Sequence, residues 1–294
     1  MERRPGDVVD CVRGRLPLGG PLARSHSEGA VRVYFEVARV TARRMLTYRG
    51  ATFAGVFTNT VFGFLLAYVL LAVFREKASI GHFDAVDAVT FTFVAQGLAM
   101  PVGVFGNDFE QSQRILTGEV AMDLCRPYDY QGWWAAVAFG KAWFYVLARG
   151  VPPFVVASMF FDLRLPSDWW LWPAFALAVF LGVGIAFALR FIVQLLSFWI
   201  VDVRGPNQVV WVVAGYLGGM FAPIVLFPDW IEPTIRSLPF AYMIGVPIEV
   251  FLGSHRGAEL AGVFAVQVLW LVALLAGGRM LLARAERKLV IAGG

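Results

Sequence analysis

The chain has 294 residues, 59% hydrophobic, 15% aromatic and only 16% charged, with a mean hydropathy of +0.66 and a net charge of +4. Soluble domains carry about 25% charged residues, so this composition excludes an ordinary water-soluble core and points to a bilayer. It also excludes a nucleic-acid face, because no basic patch is interleaved with aromatic residues. The two cysteines, Cys11 and Cys125, fall on the side assigned below to the cytoplasm, where disulfides are rare. They read as separate thiols.

Residues 1–30 are rich in Arg, Gly and Pro and hold no apolar core of a signal peptide. They are expected to form a flexible cytoplasmic extension. From Val31 to Arg49, Arg32, Glu36, Arg39 and Arg43 recur at helical spacing, with Val33, Val37, Val40 and Tyr48 on other faces. That pattern predicts an amphipathic helix on the inner membrane surface.

Apolar runs of about 20 residues mark membrane helices. Six are expected, at 52–74, 85–105, 133–161, 169–201, 207–227 and 259–282, which makes an all-α membrane protein. Tryptophans near the ends, among them Trp133, Trp134, Trp169, Trp172 and Trp230, suit the headgroup level. Ten arginines precede the first run, and Arg279, Arg284, Arg287 and Lys288 follow the last. The outward loops hold only Arg75, Lys77, Arg164, Arg236 and Arg256, so both termini are expected in the cytoplasm.

The longest inner connection, Gly106 to Gly132, carries Asp108, Glu110, Glu119, Asp123 and Asp129 against Arg114 and Arg126. An acidic inner loop gains nothing from anionic lipid, so a protein partner accounts for it better. Ile115, Leu116, Val120 and Leu124 form an apolar stripe at helical spacing. Such a stripe either docks in a partner's groove or packs on the chain's own bundle.

Within the spans, Arg149 and Arg190 stand out, because charge at membrane depth is costly and tends to face a bundle interior or an aqueous path. Arg149 precedes Val151–Pro152–Pro153, which must kink its helix. Asn59, Gln96, Arg149 and Gln194 are the candidate lining of a translocation path, although interhelical hydrogen bonds account for such residues equally well. Gly182, Gly184, Gly215, Gly218 and Gly219 allow close helix contact, and those of the fifth run would fit a subunit interface.

Met220 to Ser254 is too apolar for a solvated loop and too broken by Pro228, Pro233, Pro239 and Pro247 for one span. Irregular backbone at membrane depth survives only when protein or a water-filled cavity covers it. This segment is expected to be re-entrant and to act as an outer gate, with Pro228, Trp230, Pro239, Tyr242, Pro247 and Glu249 as its marking residues.

No phosphate loop is present, since Gly140–Lys141 is followed by Ala and Trp. HExxH, paired-cysteine and GxSxG patterns are also missing, and His26, His82 and His255 are scattered. The chain therefore reads as no enzyme, with no ATPase site of its own. Asp84, Asp87, Asp162 and Asp168 lack the partners a membrane-embedded lipid-modifying enzyme needs. An ion-coupled transporter acting alone is the alternative, and it would need acids inside the spans.

The ensemble resembles the permease subunits of ABC-2 type exporters. Leu116-Thr-Gly-Glu-Val-Ala-Met-Asp-Leu-Cys-Arg-Pro127 is similar to that family's coupling segment. Phe227-Pro-Asp-Trp-Ile, Leu238-Pro-Phe-Ala-Tyr-Met-Ile, Pro247-Ile-Glu and Phe251-Leu-Gly253 resemble the outer segment of its bacterial daunorubicin-type or unnamed branch. The resemblance covers roughly 31–288. It implies a bacterial inner membrane, two copies of a separate cytoplasmic ATPase, and a second permease, identical or homologous. ATP and Mg would be bound by that ATPase and not by this chain. It also implies a coupling helix over Leu116–Leu124, with Leu116, Glu119, Val120, Asp123 and Leu124 docking the ATPase. The cargo would be an amphipathic or cationic small molecule leaving the cell, and the remaining partner is membrane lipid.

Overall fold

The computed structural model describes residues 26–75, 79–80, 83–103 and 109–289, and the fold is 76% helical. Helix α1 (His26–Met45) begins five residues before the expected Val31, and Arg43 and Arg44 lie in its last turn. Cations there oppose the negative end of the helix dipole. A turn at Leu46–Tyr48 leads into α2 (Arg49–Phe74). The expected extension at residues 1–25 lies outside the described residues.

Two short strands, β1 (Ser79–Ile80) and β2 (Phe83–Asp84), pair antiparallel between α2 and α3 (Ala85–Val102). Asp84 caps α3, accepting the Asp87 N–H at 2.8 Å while Asp87 accepts the Asp84 N–H at 3.2 Å. This reciprocal box satisfies two of the helix's orphan donors. Nearly every residue of α3 is buried, and Phe91, Ala95 and Ala99 join the main core.

The described part of the connection after α3 folds as two short helices, α4 (Glu110–Leu116) and α5 (Val120–Leu124). Then comes α6 (Tyr130–Tyr145), a π-helical turn at Val146–Gly150, and α7 (Val151–Ala157). Pro152 and Pro153 supply no N–H to the preceding turn, and the π turn absorbs that mismatch. It sits where α3 crosses most closely: a Cβ on Gly97 would lie 3.0 Å from the Gly150 Cα.

Helix α8 (Leu171–Leu195) continues as a 3-10 turn at Leu196–Phe198 and packs against α12 (Gly257–Leu289), α6 and α3. Between them lie α9 (Arg204–Leu217), a 3-10 turn at Ile224–Leu226, α10 (Glu232–Ser237) and α11 (Gly245–Phe251).

Among the described residues, four helices are long and apolar enough to cross a membrane: α2, α3, α8 with its 3-10 turn, and α12. The expected third run, 133–161, is helical to Ala157 and divided by the π turn. The expected fifth, at 207–227, is helical only to Leu217. Helix α9 has 14 residues, about 21 Å of rise, short of a hydrocarbon core of about 30 Å. It ends because Gly219 takes φ +79°, with the Gly218 N–H returning to the Ala214 carbonyl and the Met220 N–H to that of Gly215. Residues 218–227 therefore belong to the broken segment.

Helices α2 and α12 expose much of their apolar surface, including Phe53, Phe57 and Leu269. Surfaces of that kind are stable against hydrocarbon rather than water. Trp169, Trp172 and Trp230 are exposed at helix ends, as interfacial anchors should be. Trp134 differs from the expectation, being buried in the core beneath α4 and α5.

Candidate functional site

Three regions hold the residues singled out above. They are the α4–α5 corner, the broken segment between α9 and α12, and the crossing of α2, α3 and the π turn.

At the corner, Gly118 takes φ +80° and separates α4 from α5, so the single coupling helix expected over Leu116–Leu124 is replaced by a helix–turn–helix. Leu116 ends α4, and Glu119 precedes α5. Ile115 and Val120 are buried with Tyr130, Phe187, Phe191, Leu195 and Leu282, and Leu124 packs beside them. The apolar stripe is thus covered mainly by the chain's own bundle. Asp123 is buried and accepts from Arg114 Nε at 2.6 Å and Nη2 at 2.8 Å. A carboxylate bound this way is a clamp across the corner and leaves no free charge for a partner. What remains outward is Leu116 at 49% exposure, Glu119 with its side chain at 57%, and Met122 at 55%. Met122 and the Gly118 turn do not stand out in the sequence; Leu116-Thr-Gly-Glu119 carries their only signal, a glycine between two short helical runs.

The broken segment folds back along α8. Pro233 and Pro247 fall in the first turns of α10 and α11, where a missing N–H costs nothing. Pro239 follows the end of α10 and accepts the Tyr242 N–H at 3.2 Å. Pro228 accepts the N–H groups of Ile231 and Glu232. The apex at Tyr242–Ile244 is fully packed. There the Tyr242 and Met243 carbonyls face Gly182, where a Cβ would lie 2.8 Å from the Met243 oxygen. Gly182 is about 16 Å along α8 from its start, so the apex reaches the middle of a candidate span. Buried Gln267 of α12 donates to Ala178 O at 3.1 Å and Tyr242 O at 3.0 Å, satisfying irregular backbone that has no ladder. Gly182, Gly218 and Gly219 are consumed by this intrachain packing against Met243, Phe240 and Gly245.

A charge cluster ties the segment together. Arg236 of α10 donates to Glu249 of α11 through Nη1 at 2.9 Å and Nη2 at 3.0 Å, and to Glu232 through Nε at 2.7 Å. His255 lies with Nε2 2.9 Å from Glu249 and Nδ1 2.9 Å from Glu259 in the first turn of α12. Burial pushes Glu249 up, but hydrogen bonds from His255 and Arg236 outweigh it and hold the carboxyl below its ordinary range. Burial likewise pushes His255 down, yet its bonds to Glu249 and Glu259 hold the imidazole above its usual value. From sequence, only Glu249 is marked as a gate residue here. The i,i+4 pairs Glu232–Arg236 and His255–Glu259 are the legible signal for the others.

Of the expected path residues, three converge and one does not. Asn59 Nδ2 donates to Gln96 O at 3.2 Å between α2 and α3, and both residues are buried. Arg149 lies against Gly55, one turn away on α2, donating to Ala51 O at 2.7 Å and stacking over Tyr145 at 5.3 Å. Gln194 is elsewhere, accepting the Ser112 N–H of α4 at 2.9 Å. Arg190 donates to Val102 O at 3.1 Å and lies 5.1 Å over the Trp211 ring, which satisfies the end of α3. On the opposite side from the corner, Arg164 bridges Asp84 at 2.8 Å and Asp87 at 2.7 Å. Those acids serve the α3 cap.

The corner and the segment share one support. Phe187, Phe191, Leu195 and Gln194 of α8 hold α4 and α5, and Gly182 holds the apex. The two contacts are about 18 Å apart along one unbroken helix.

A family model described as ABC-2 family transporter protein matches residues 57–293. No curated protein and no solved structure matches the chain. The match takes in the spans, the corner and the broken segment together, and the chain belongs to the ABC-2 transporter family, as a multi-pass membrane protein.

Proposed function

We propose that the chain is the membrane-spanning permease of an ATP-driven exporter whose ATPase is a separate subunit. On this reading it crosses a bacterial inner membrane six times with both termini in the cytoplasm, the π-turn helix, and α9 extended by the irregular backbone of 218–227, supplying the two crossings beyond the four apolar helices. Two ATPase copies act on a pair of permeases, identical or homologous, and an amphipathic or cationic small molecule leaves between them. ATP and Mg belong to the partner.

The observation that carries the reading is the double load on α8. The α4–α5 corner is clamped to the inner half of that helix by Ile115, Val120 and the Gln194–Ser112 hydrogen bond, and the outer segment seats on Gly182. A partner that binds one arrangement of the corner more tightly shifts the population of the whole rod. The outward Leu116, Glu119 and Met122 form the docking tip, while Val120, Asp123 and Leu124 fix the tip to the bundle. Pro228, Trp230, Pro239, Tyr242, Pro247 and Glu249 belong to the outer gate.

The test is purification of the tagged full chain from its native membrane, with and without Leu116→Asp and Met122→Asp. The expected result is a co-purifying ATPase that falls on the order of tenfold in the double variant, the usual cost of removing apolar anchors from an interface. Retention of the ATPase at the wild-type level would move the docking surface elsewhere. Absence of any ATPase from the wild-type preparation would sink the reading.

A further inference from the structure

An open groove of about 870 Å³ lies between α1 and α6, away from both the corner tip and the outer segment. One wall is a single face of α1 carrying Arg32, Val37 and Arg44; the other is the Trp133–Lys141 face of α6. The helices meet along a different line, where Ala38 abuts Gly140 and Tyr34 Oη accepts the Asp129 N–H at 3.0 Å. The groove is therefore a wedge left beside a fixed contact. Its lining is mainly apolar, with the cations at its rim.

The charges of the lining do not cancel. Arg32, Arg44 and Lys141 face Glu36 and Glu110, and Glu36 is already paired with Arg39 outside the groove at 3.3 Å. The rim is left cationic beside an apolar trough. Helix α1 runs through a short turn into α2, whose flank is exposed and apolar, so the trough opens at the level where a bilayer's headgroups meet its chains. An occupant must combine an anionic head with an acyl tail, which matches a phospholipid of the surrounding leaflet.

We propose that this groove is a binding site for one anionic phospholipid, its chain lying along Val37 and Trp133 and its phosphate drawn to the cationic rim that Arg32 and Arg44 supply at the two ends of the groove. The site holds α1 at the membrane surface through a lipid rather than through protein contacts alone. The inference needs only the membrane character of the chain, so loss of the ATPase in the experiment above leaves it standing.

The test is native mass spectrometry of the purified full chain titrated with phosphatidylglycerol or phosphatidylcholine of identical chains. Phosphatidylglycerol is expected to be retained on the order of tenfold more strongly, as two surface arginines warrant. Arg32→Gln with Arg44→Gln removes the preference, and Arg43→Gln with Arg49→Gln, outside the groove lining, keeps it. Because all four side chains are exposed, these variants fold. Equal retention of the two lipids overturns the proposal, as does an equal loss in both double variants. Displacement of the lipid by inorganic phosphate alone overturns it in favour of a soluble anion.

Discussion

His255 can bond both Glu249 and Glu259 as a double donor only while both ring nitrogens carry protons. Its folded-state pKa is raised, so the stability it contributes is complete below the unfolded value, about 6.5, and is lost as pH rises through the folded value. Glu249 works in the other direction. Its pKa is lowered, so its contribution is present above the ordinary carboxylate range and is lost as pH falls through the folded value. The cluster is thus complete from mildly acidic to near-neutral pH. The melting temperature of the purified chain is expected to decline as pH rises above about 6.5 through this joint, and His255→Gln is expected to flatten that slope. An identical slope in the variant would assign the pH response to other groups. Arg236 stays charged throughout and keeps Glu249 compensated when the histidine is neutral. Individual members of this cluster can be named from sequence, but their meeting cannot. Arg236, Glu249 and His255 lie on three parts of the chain that come together only when the broken segment folds back on itself.

Among the elements, the crossing of α3 with the π turn is a close backbone contact between apolar segments. Gly97→Leu would force its side chain into Gly150 and separate the helices. Overpacking of this kind costs about 1–3 kcal/mol, because the first carbon of the new side chain already meets backbone at 3.0 Å. Thermal unfolding in detergent should show the loss. Gly262→Ala is the control, because nothing lies within 4 Å of its Cβ position and alanine favours the helix by about 1 kcal/mol. Equal effects at the two positions would mean that the α3–π contact is not close in the folded protein. The long elements were legible because an unbroken apolar run of span length, in a chain this poor in charge, is stable chiefly as a membrane helix. The ends of α9 and the nature of the corner were less so. Val209 to Phe227 is apolar throughout, and hydropathy does not distinguish a membrane helix from irregular backbone buried by protein; only the Gly218–Gly219 turn separates them. At the corner, spacing showed that Ile115 and Val120 share a face but not which body covers it, and the bundle takes that face.

For the molecule as a whole, α8 makes the corner and the broken segment parts of one mechanical unit. The corner is stiff where it meets the bundle, through Arg114–Asp123 and Gln194–Ser112, and exposed at Leu116, Glu119 and Met122. Stiff attachment suits transmission, since a loose loop would absorb a partner's motion. At the other end, Gln267 and Gly182 fix the apex of the broken segment to two spans at once. An ion-coupled carrier would use buried acids that are free to load and release a cation. Here Asp87 is held by Arg164, and Glu249 by Arg236 and His255. The decisive measurement is uptake of an amphipathic cationic dye into inside-out membrane vesicles containing the full chain and its native partners. ATP-dependent uptake that persists after ion gradients are collapsed, and disappears in the Leu116→Asp, Met122→Asp variant, is the predicted result. Uptake driven by an imposed ion gradient without ATP would contradict the account.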